Sequence, residues 1–268
     1  MIRLLLFTLL LAPVSALAVT LDGKATQGGL MIGRAAPGTS LSLDGRDIAV
    51  TPGGDFLLGF GRDAKPRAVL NIRHPDGRVE KRTLSVAART YKIQRIDGLP
   101  GRKVDPKPAD VKRIIAERDL LRRVRATIAL EPRFRSGFVW PSKGRISGVY
   151  GSQRILNGKP RQPHLGVDVA APTGTPVVAS ADGVVALAHD GMFFTGKTVH
   201  IDHGLGLGTV YAHLSVLTVS QGQRVKKGQT IGRIGKTGRA TGPHLHWGMT
   251  LGAVRLDPSL VVGKMPGG

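Results

Sequence analysis

Thr175-Pro-Val-Val-Ala-Ser-Ala-Asp-Gly-Val-Val-Ala-Leu187 sets two β-branched runs on either side of Asp182-Gly183. β-Branched side chains suit a pleated strand, and Asp-Gly between two such runs is a strong short-range hairpin signal. The stretch therefore predicts a β-hairpin. Lys197 to Asp202 and Gly208 to His213 predict two further strands. Gln223 to Gly235 places Val225 and Thr230-Ile231 around Lys-Lys-Gly-Gln, which predicts a second tight hairpin. No convincing helical period occurs from residue 137 onward, so this part of the chain is expected to be an antiparallel β architecture.

Upstream, residues 19 to about 100 hold short β-like runs between turn signals. Leu41-Ser42-Leu43 precedes Asp44-Gly45, Ala68 to Ile72 precedes Pro75-Asp76-Gly77, and Phe56 to Phe60 is a third run. That rhythm predicts a small immunoglobulin-like β-sandwich. No cluster of His, Asp or Ser suggests chemistry there, and His74, beside a turn, is expected at the surface.

Between the two β regions the period changes. Pro108 opens a segment in which Val111, Ile114, Ile115, Leu121, Val124 and Ile128 recur at helical spacing, ending near Pro132. Lys112, Arg113, Arg118, Arg122, Arg123 and Arg125 fill the other face. This is an amphipathic, basic connector helix whose apolar stripe is expected to lie on a neighbouring domain, the alternative being that the helix lies on an anionic surface. The fold class is thus all-β with one connector helix. The expected division is a leader at 1–18, a sandwich at 19–104, the connector at 105–136 and a C-terminal domain at 137–268.

The leader is read from its own pattern. Met1-Ile2-Arg3 gives a positive start, Leu4 to Ala12 is apolar apart from Thr8, and Ala16-Leu17-Ala18 fits a small-x-small cleavage site. About nine apolar residues fall short of the roughly twenty needed to span a bilayer. A signal peptide cut after Ala18 is expected, with no transmembrane segment after cleavage. The protein is then exported, to a periplasm of Gram-negative type or to the medium. No cysteine stands near the cut to carry a lipid.

Composition narrows the chemistry. Among 268 residues there are 39 Lys and Arg against 18 Asp and Glu, a formal charge of +21, and no cysteine. Disulfide frameworks, cysteine zinc fingers, iron–sulfur clusters and thiol nucleophiles are all excluded. The charge asks for an anionic partner, and export argues for an envelope polymer over nucleic acid. It is spread as +6 over residues 19–106, +5 over 107–136 and +9 over 137–268, so no basic tail stands out.

The histidines point to the reaction. Seven of the 8 fall after residue 160: His164, His189, His200, His203, His213, His244 and His246. His164-x-x-x-Asp168 and His244-Leu-His246 each have a chance expectation of roughly 0.2 to 0.4 in a chain of this composition, so neither decides alone. On strands, however, i and i+2 or i+4 share a face, so both motifs can present polar groups to one spot. Two imidazoles and a carboxylate suit Zn²⁺ with a fourth position left for water. After residue 137 the only acids are Asp168, Asp182, Asp190, Asp202 and Asp257. A His-Glu-x-x-His protease, whose base is glutamate, is therefore excluded there, and a histidine is the simplest base. Nor does any Gly-x-Ser-x-Gly occur, and Gly235-Lys236-Thr237 lacks the upstream glycine of a phosphate loop, since Thr230 stands there.

Residues 145 to 251, about 40% of the chain, resemble the lysostaphin/LytM-type zinc metallopeptidases. The likeness is carried by His164-Leu-Gly-Val-Asp168 through Thr175-Pro176, Ala181-Asp-Gly-Val184, Val210-Tyr-Ala-His-Leu214, Val225-Lys-Lys-Gly-Gln229 and Thr241-Gly-Pro-His-Leu-His246. The resemblance implies a peptidoglycan endopeptidase with one Zn²⁺ per chain, cutting peptide cross-links by histidine-assisted attack of zinc-bound water. Its zinc ligands would be His164, Asp168 and His246. His244 would be the general base, and His213 would hold the water or stabilise the oxyanion. Tyr211 and Arg154 would line the substrate groove. His203 is expected to be structural, and His189 and His200 to be surface or sheet residues. One departure is that Trp247 is followed by Gly248, where many relatives carry glutamate. The partners implied are peptidoglycan peptide stems, with no nucleic acid, and residues 19–136 are expected to inhibit the enzyme. The alternative is a catalytically inactive relative that binds and activates a peptidoglycan amidase.

Overall fold

The computed structural model describes residues 18–265, so the expected signal peptide at 1–18 lies, but for its last residue, outside the described residues. Eight strands form the N-terminal part: β1 (Thr20–Gly23), β2 (Leu30–Arg34), β3 (Ser40–Leu43), β4 (Arg46–Ile48), β5 (Asp55–Gly59), β6 (Arg67–Arg73), β7 (Val79–Ser85) and β8 (Ile93–Ile96). Two helices follow, α1 (Gly101–Val104) and α2 (Pro108–Ala126). The C-terminal part begins with β9 (Arg145–Gly148), β10 (Gln153–Leu156), β11 (Lys159–Pro160), β12 (Val167–Ala170), β13 (Pro176–Val178) and β14 (Gly183–Met192). It continues with β15 (Gly196–Gly204), β16 (Leu207–Leu217), β17 (Arg224–Val225), β18 (Thr230–Ile234), β19 (His244–Leu251) and β20 (Val254–Leu256). The fold is mostly β, with antiparallel sheets and one sizeable helix, as the sequence indicates.

Sheets β1-β2-β5 and β4-β3-β6-β7 face each other in the N-terminal part. Alternation drives this: in β6, Ala68, Leu70 and Ile72 are buried, while Val69 and Asn71 between them are half-buried. Those three join Met31, Leu41, Leu43, Phe56 and Leu58 in one core drawn from both sheets. His74 is not at the surface as expected. It is buried, with Nε2 3.1 Å from Glu80 Oε2, because β7 returns alongside β6 and brings Glu80 to it.

The large sheet has the order β17-β14-β15-β16-β19-β12-β9, with β18, β13 and β20 attached off this path. Val199, Ile201, Tyr211, Leu214, Leu245 and Trp247 make the core on one of its faces. Neither expected hairpin forms here. β13 pairs with β18, whereas β14 pairs with β15 and β17. A two-residue hairpin turn needs positive φ, which neither Asp182 nor Gly183 has. Asp182 instead accepts from the Lys227 backbone N–H at 2.8 Å, and a Cβ on Gly183 would meet Ile201 at 2.3 Å. The dipeptide thus serves a neighbouring turn and a close strand approach. In the second case Lys226-Lys227-Gly228-Gln229 does turn, but β17 and β18 leave it for different partners.

Helix α2 lies against β14 by a mixed face. Ile114, Leu121 and Val124 are half-buried, yet Val111 and Ile115 are more than two-fifths exposed, so the apolar stripe is only partly used. Polar contacts do the rest: Glu117 accepts from the Phe193 backbone N–H at 2.7 Å, and Arg113 donates to the Gly191 carbonyl. Among the described residues no helix is long and apolar enough to cross a membrane. Upstream of α1, β8 pairs in parallel with β10, from Gln153↔Ile93 to Leu156↔Ile96. The chain just before the connector is thereby hydrogen-bonded into the C-terminal part.

Candidate metal centre

β12 and β19 run antiparallel with Asp168 opposite His246, and β16 places Ala212 on the other side of His246. Strand alternation sends Val167, Val169, Leu245 and Trp247 into the core and leaves Asp168 and His246 on the outer face. His164 reaches the same spot from a loop, since β12 begins only at Val167; the i, i+4 pair does not share one strand as expected. That loop is fixed by the His164 N–H to the Ser152 carbonyl at 2.8 Å and the Gly151 N–H to the His164 carbonyl at 2.7 Å.

Three atoms converge there. His164 Nε2 lies 3.0 Å from Asp168 Oδ1 and 2.9 Å from His246 Nδ1, and His246 Nδ1 lies 2.8 Å from Asp168 Oδ1. His164 Nδ1 faces the Val149 carbonyl at 3.2 Å. A carbonyl only accepts, so Nδ1 carries the hydrogen and Nε2 presents a lone pair. An ionised Asp168 also offers only lone pairs, so the 3.0 Å approach sets two acceptors against each other. A divalent cation resolves that conflict, and the N, N, O donor set suits Zn²⁺. The separations are slightly under the about 3.3 Å edge of a tetrahedron with 2.0–2.1 Å bonds. The residues present fit the metal.

Burial would raise the Asp168 pKa, but the imidazoles of His164 and His246 outweigh it and hold the carboxyl well below its usual range. Burial pushes His164 down to about 4, so its ring is neutral near pH 7, the form that binds metal. Two glycines make room. A Cβ on Gly166 would lie 2.7 Å from His246 Cε1, and one on Gly148 would lie 2.5 Å from Asp168 Oδ2.

Two more imidazoles face the cluster. His213 sits where Ala212 and His213 oppose the single residue Thr198, a β-bulge, and its φ is +64°. The bulge re-aims the His213 ring to 4.7 Å from the His244 ring and 6.1 Å from the His246 ring, centroid to centroid. His213 Nδ1 faces the Thr237 carbonyl at 2.8 Å and His244 Nδ1 the Gly242 carbonyl at 2.9 Å. Each ring thus has its hydrogen on Nδ1 when neutral and leaves Nε2 for chemistry. Burial, reinforced by His244 and His246, pushes His213 down to about 3. His244 Nε2 is 4.0 Å from Asp168 Oδ1.

The two expected groove residues part ways. Arg154 lines the cleft, but its Nη2 is held by Asp168 Oδ2 at 2.5 Å. Tyr211 is not in the groove at all. It is fully buried on the core face, with its hydroxyl 2.8 Å from both the Ser180 backbone N and Oγ and 2.9 Å from Thr209 Oγ1. Its neighbour Ala212 takes the outward position on β16, which is why Tyr211 points in. His203 is buried between the Asp182 carbonyl and Thr209 Oγ1, each at 2.7 Å.

Gln94, Ile96 and Leu99 also line the 150 Å³ cleft, beside Asp168, His213, Arg239 and His244. Nothing in the sequence near the histidines signals them, because they lie far upstream of His164 and arrive only by the β8–β10 pairing. They narrow the site below the roughly 300–1,000 Å³ of ordinary ligand pockets.

The model of peptidase family M23 matches residues 162–258, which span every one of these histidines. The chain is 47% identical over 107 residues to the peptidoglycan DD-endopeptidase ShyA of Vibrio cholerae, covering 40% of this chain and 25% of that protein. It is 45% identical over 104 residues to the DD-carboxypeptidase/endopeptidase Mpg of Neisseria meningitidis, covering 38% and 24%. The chain thus spans about a quarter of the length of these relatives. A crystal structure of a Pseudomonas aeruginosa protein assigned to peptidase M23 superposes with a TM-score of 0.69 at 30% identity, over 90% of this chain and 96% of that one. That likeness runs through the N-terminal sheets and the connector as well as the histidine cluster, and the chain belongs to peptidase family M23.

Proposed function

We propose that the chain is an exported zinc metalloendopeptidase that hydrolyses peptide cross-links of bacterial peptidoglycan. The observation that carries this reading is the meeting of His164 Nε2, Asp168 Oδ1 and His246 Nδ1 on one sheet face, with two further imidazoles beside them. His164, Asp168 and His246 would hold one Zn²⁺, which when bound polarises the scissile carbonyl and acidifies water. His244 takes the proton of the attacking water at Nε2 and returns it to the leaving amine. With Nδ1–H tied to the Thr237 carbonyl, the neutral His213 ring faces the cleft with Nε2, where it accepts from the attacking water and orients it. Arg154 fixes the second oxygen of Asp168 and so holds the first in place.

The substrate assignment rests on relatives named as peptidoglycan DD-endopeptidases, which supports D,D-configured cross-links between peptide stems. Peptidoglycan lies outside the cytoplasm, which agrees with an exported enzyme. The leader, sandwich, connector and peptidase boundaries at 18, 104 and 136 belong to the same proposal. So does inhibition by residues 19–136, supported by Gln94, Ile96 and Leu99 in the cleft wall. The test is release of soluble muropeptides from purified sacculi by the zinc-loaded protein and by His244→Ala. Release that falls by about 10²–10⁴-fold in the variant, with zinc still bound, supports the reading. No release by the zinc-loaded wild type contradicts it.

A further inference from the structure

A row of polar groups crosses the outer sheet face away from the metal centre. In the strand register Gly208 pairs with Thr250 and Thr250 pairs with Arg255. The His200 ring lies over Gly208, where a Cβ would meet Cε1 at 2.3 Å and Nε2 at 3.0 Å. His200, Gly208, Thr250 and Arg255 therefore form one line on β15, β16, β19 and β20. Arg125, on the last turn of α2, lies close enough to His200 and Arg255 to interact with both electrostatically. Thr250 is four positions along β19 from His246, about 13 Å at strand spacing, so the row is separate from the metal centre.

Several groups in this row lack partners among the described residues. His200 is 2% exposed, and neither of its ring nitrogens has a hydrogen-bond partner there. Thr250 Oγ1 and Arg125 Nε are buried and equally unpartnered. Neither Arg125 nor Arg255 has a carboxylate partner among the described residues, although burial lowers both, Arg125 to about 9 with Arg255 adding to the effect. Buried polar groups are ordinarily satisfied, and two uncompensated guanidinium groups, one from α2 and one from β20, are costly. A neutral His200 still offers one N–H, Thr250 an O–H, and the guanidinium groups several N–H donors in fixed planes. All of these donors seek an acceptor that carries negative charge. Arg255 also lines an 870 Å³ groove with Arg46, Arg62, Lys65 and Arg67 against Asp44 and Asp63, a positive balance that gives an anion a route in.

We propose that Arg125, Arg255, His200 and Thr250 form a binding site for a small oxyanion, a carboxylate or a phosphate, that ties α2 to the peptidase sheet. Either source offers the same chemistry: two or more oxygens that accept from a pair of guanidinium groups.

The test follows the His200 ring resonance by NMR in the folded protein as inorganic phosphate, and separately acetate, is added at constant ionic strength. A saturating shift with either anion is expected, weakened at least tenfold in Arg125→Gln and Arg255→Gln and kept in Arg118→Gln on the exposed face of α2. Saturation by phosphate alone marks a phosphate site, and saturation by acetate marks a carboxylate site. A shift that never saturates, or that both variants leave unchanged, overturns the proposal. Should a variant not fold, the wild-type thermal midpoint decides: a rise with phosphate beyond that in chloride supports the site, and equal midpoints overturn it.

Discussion

Asp168 stands opposite His246 in the β12–β19 ladder, with Oδ1 2.8 Å from Nδ1, and the same oxygen lies 3.0 Å from His164 Nε2. One carboxylate oxygen is thus shared by two imidazoles that arrive from different parts of the fold. Asp168→Asn would replace the charge and give one oxygen and one nitrogen to the same place. The expected outcome is loss of stoichiometric zinc with the sheet intact, read by metal analysis alongside circular dichroism. Full zinc occupancy in the variant would remove Asp168 from the ligand set.

Gly166 tests the geometry without touching a ligand. Its missing Cβ leaves room for the His246 ring at 2.7 Å. Gly166→Ala should push that ring aside and lower zinc affinity by about 10–100-fold, the range seen when a ligand's support is disturbed. Competition with a chromogenic chelator measures it, and an unchanged affinity would show that the ring has slack.

His203 sets a pH dependence of stability. Burial pushes it down to about 4 from 6.5, so the folded state keeps it neutral where the unfolded chain takes up a proton. Stability on its account is full above pH 6.5 and is lost as pH falls towards 4. Between pH 7 and pH 5 the loss should be about 2 kcal/mol. Urea unfolding with a chelator present, comparing wild type with His203→Gln, isolates this share. A slope with pH that is equal in the two proteins contradicts it.

The wall supplied by β8 and the segment just after it predicts a gain from its trimming. Leu99→Ala widens the cleft beside His244 and leaves every imidazole in place. If the N-terminal part inhibits, the variant should release muropeptides faster than wild type, by a few-fold. Equal or slower rates would make the segment a plain wall of the substrate groove.

Much of the candidate site is legible in the amino-acid sequence. His164, Asp168, His244 and His246 stand out by motif spacing and His213 by family resemblance alone, and the fold gathers them at one place. Geometry that depends on remote strands is not legible in the same way. Asp182-Gly183 reads locally as a turn, but its positions are taken by a contact to Lys227 and a close approach to Ile201. Tyr211 and Ala212 exchange inside and outside by one position on β16, which residue type alone does not decide. The bulge that aims His213 needs the opposing strand to be known. Gln94 and Leu99 enter only through a parallel pairing with β10.

On the proposed function, these imidazoles and Asp168 cut peptide cross-links. Mass spectrometry of sacculi digested by the zinc-loaded wild type tests it most directly. The expected result is cross-linked dimers converted to monomers, with a newly freed amine on one stem and a new carboxyl terminus on the other. Intact dimers, or products cleaved only at the glycan strand or at the bond joining stem to glycan, would contradict it.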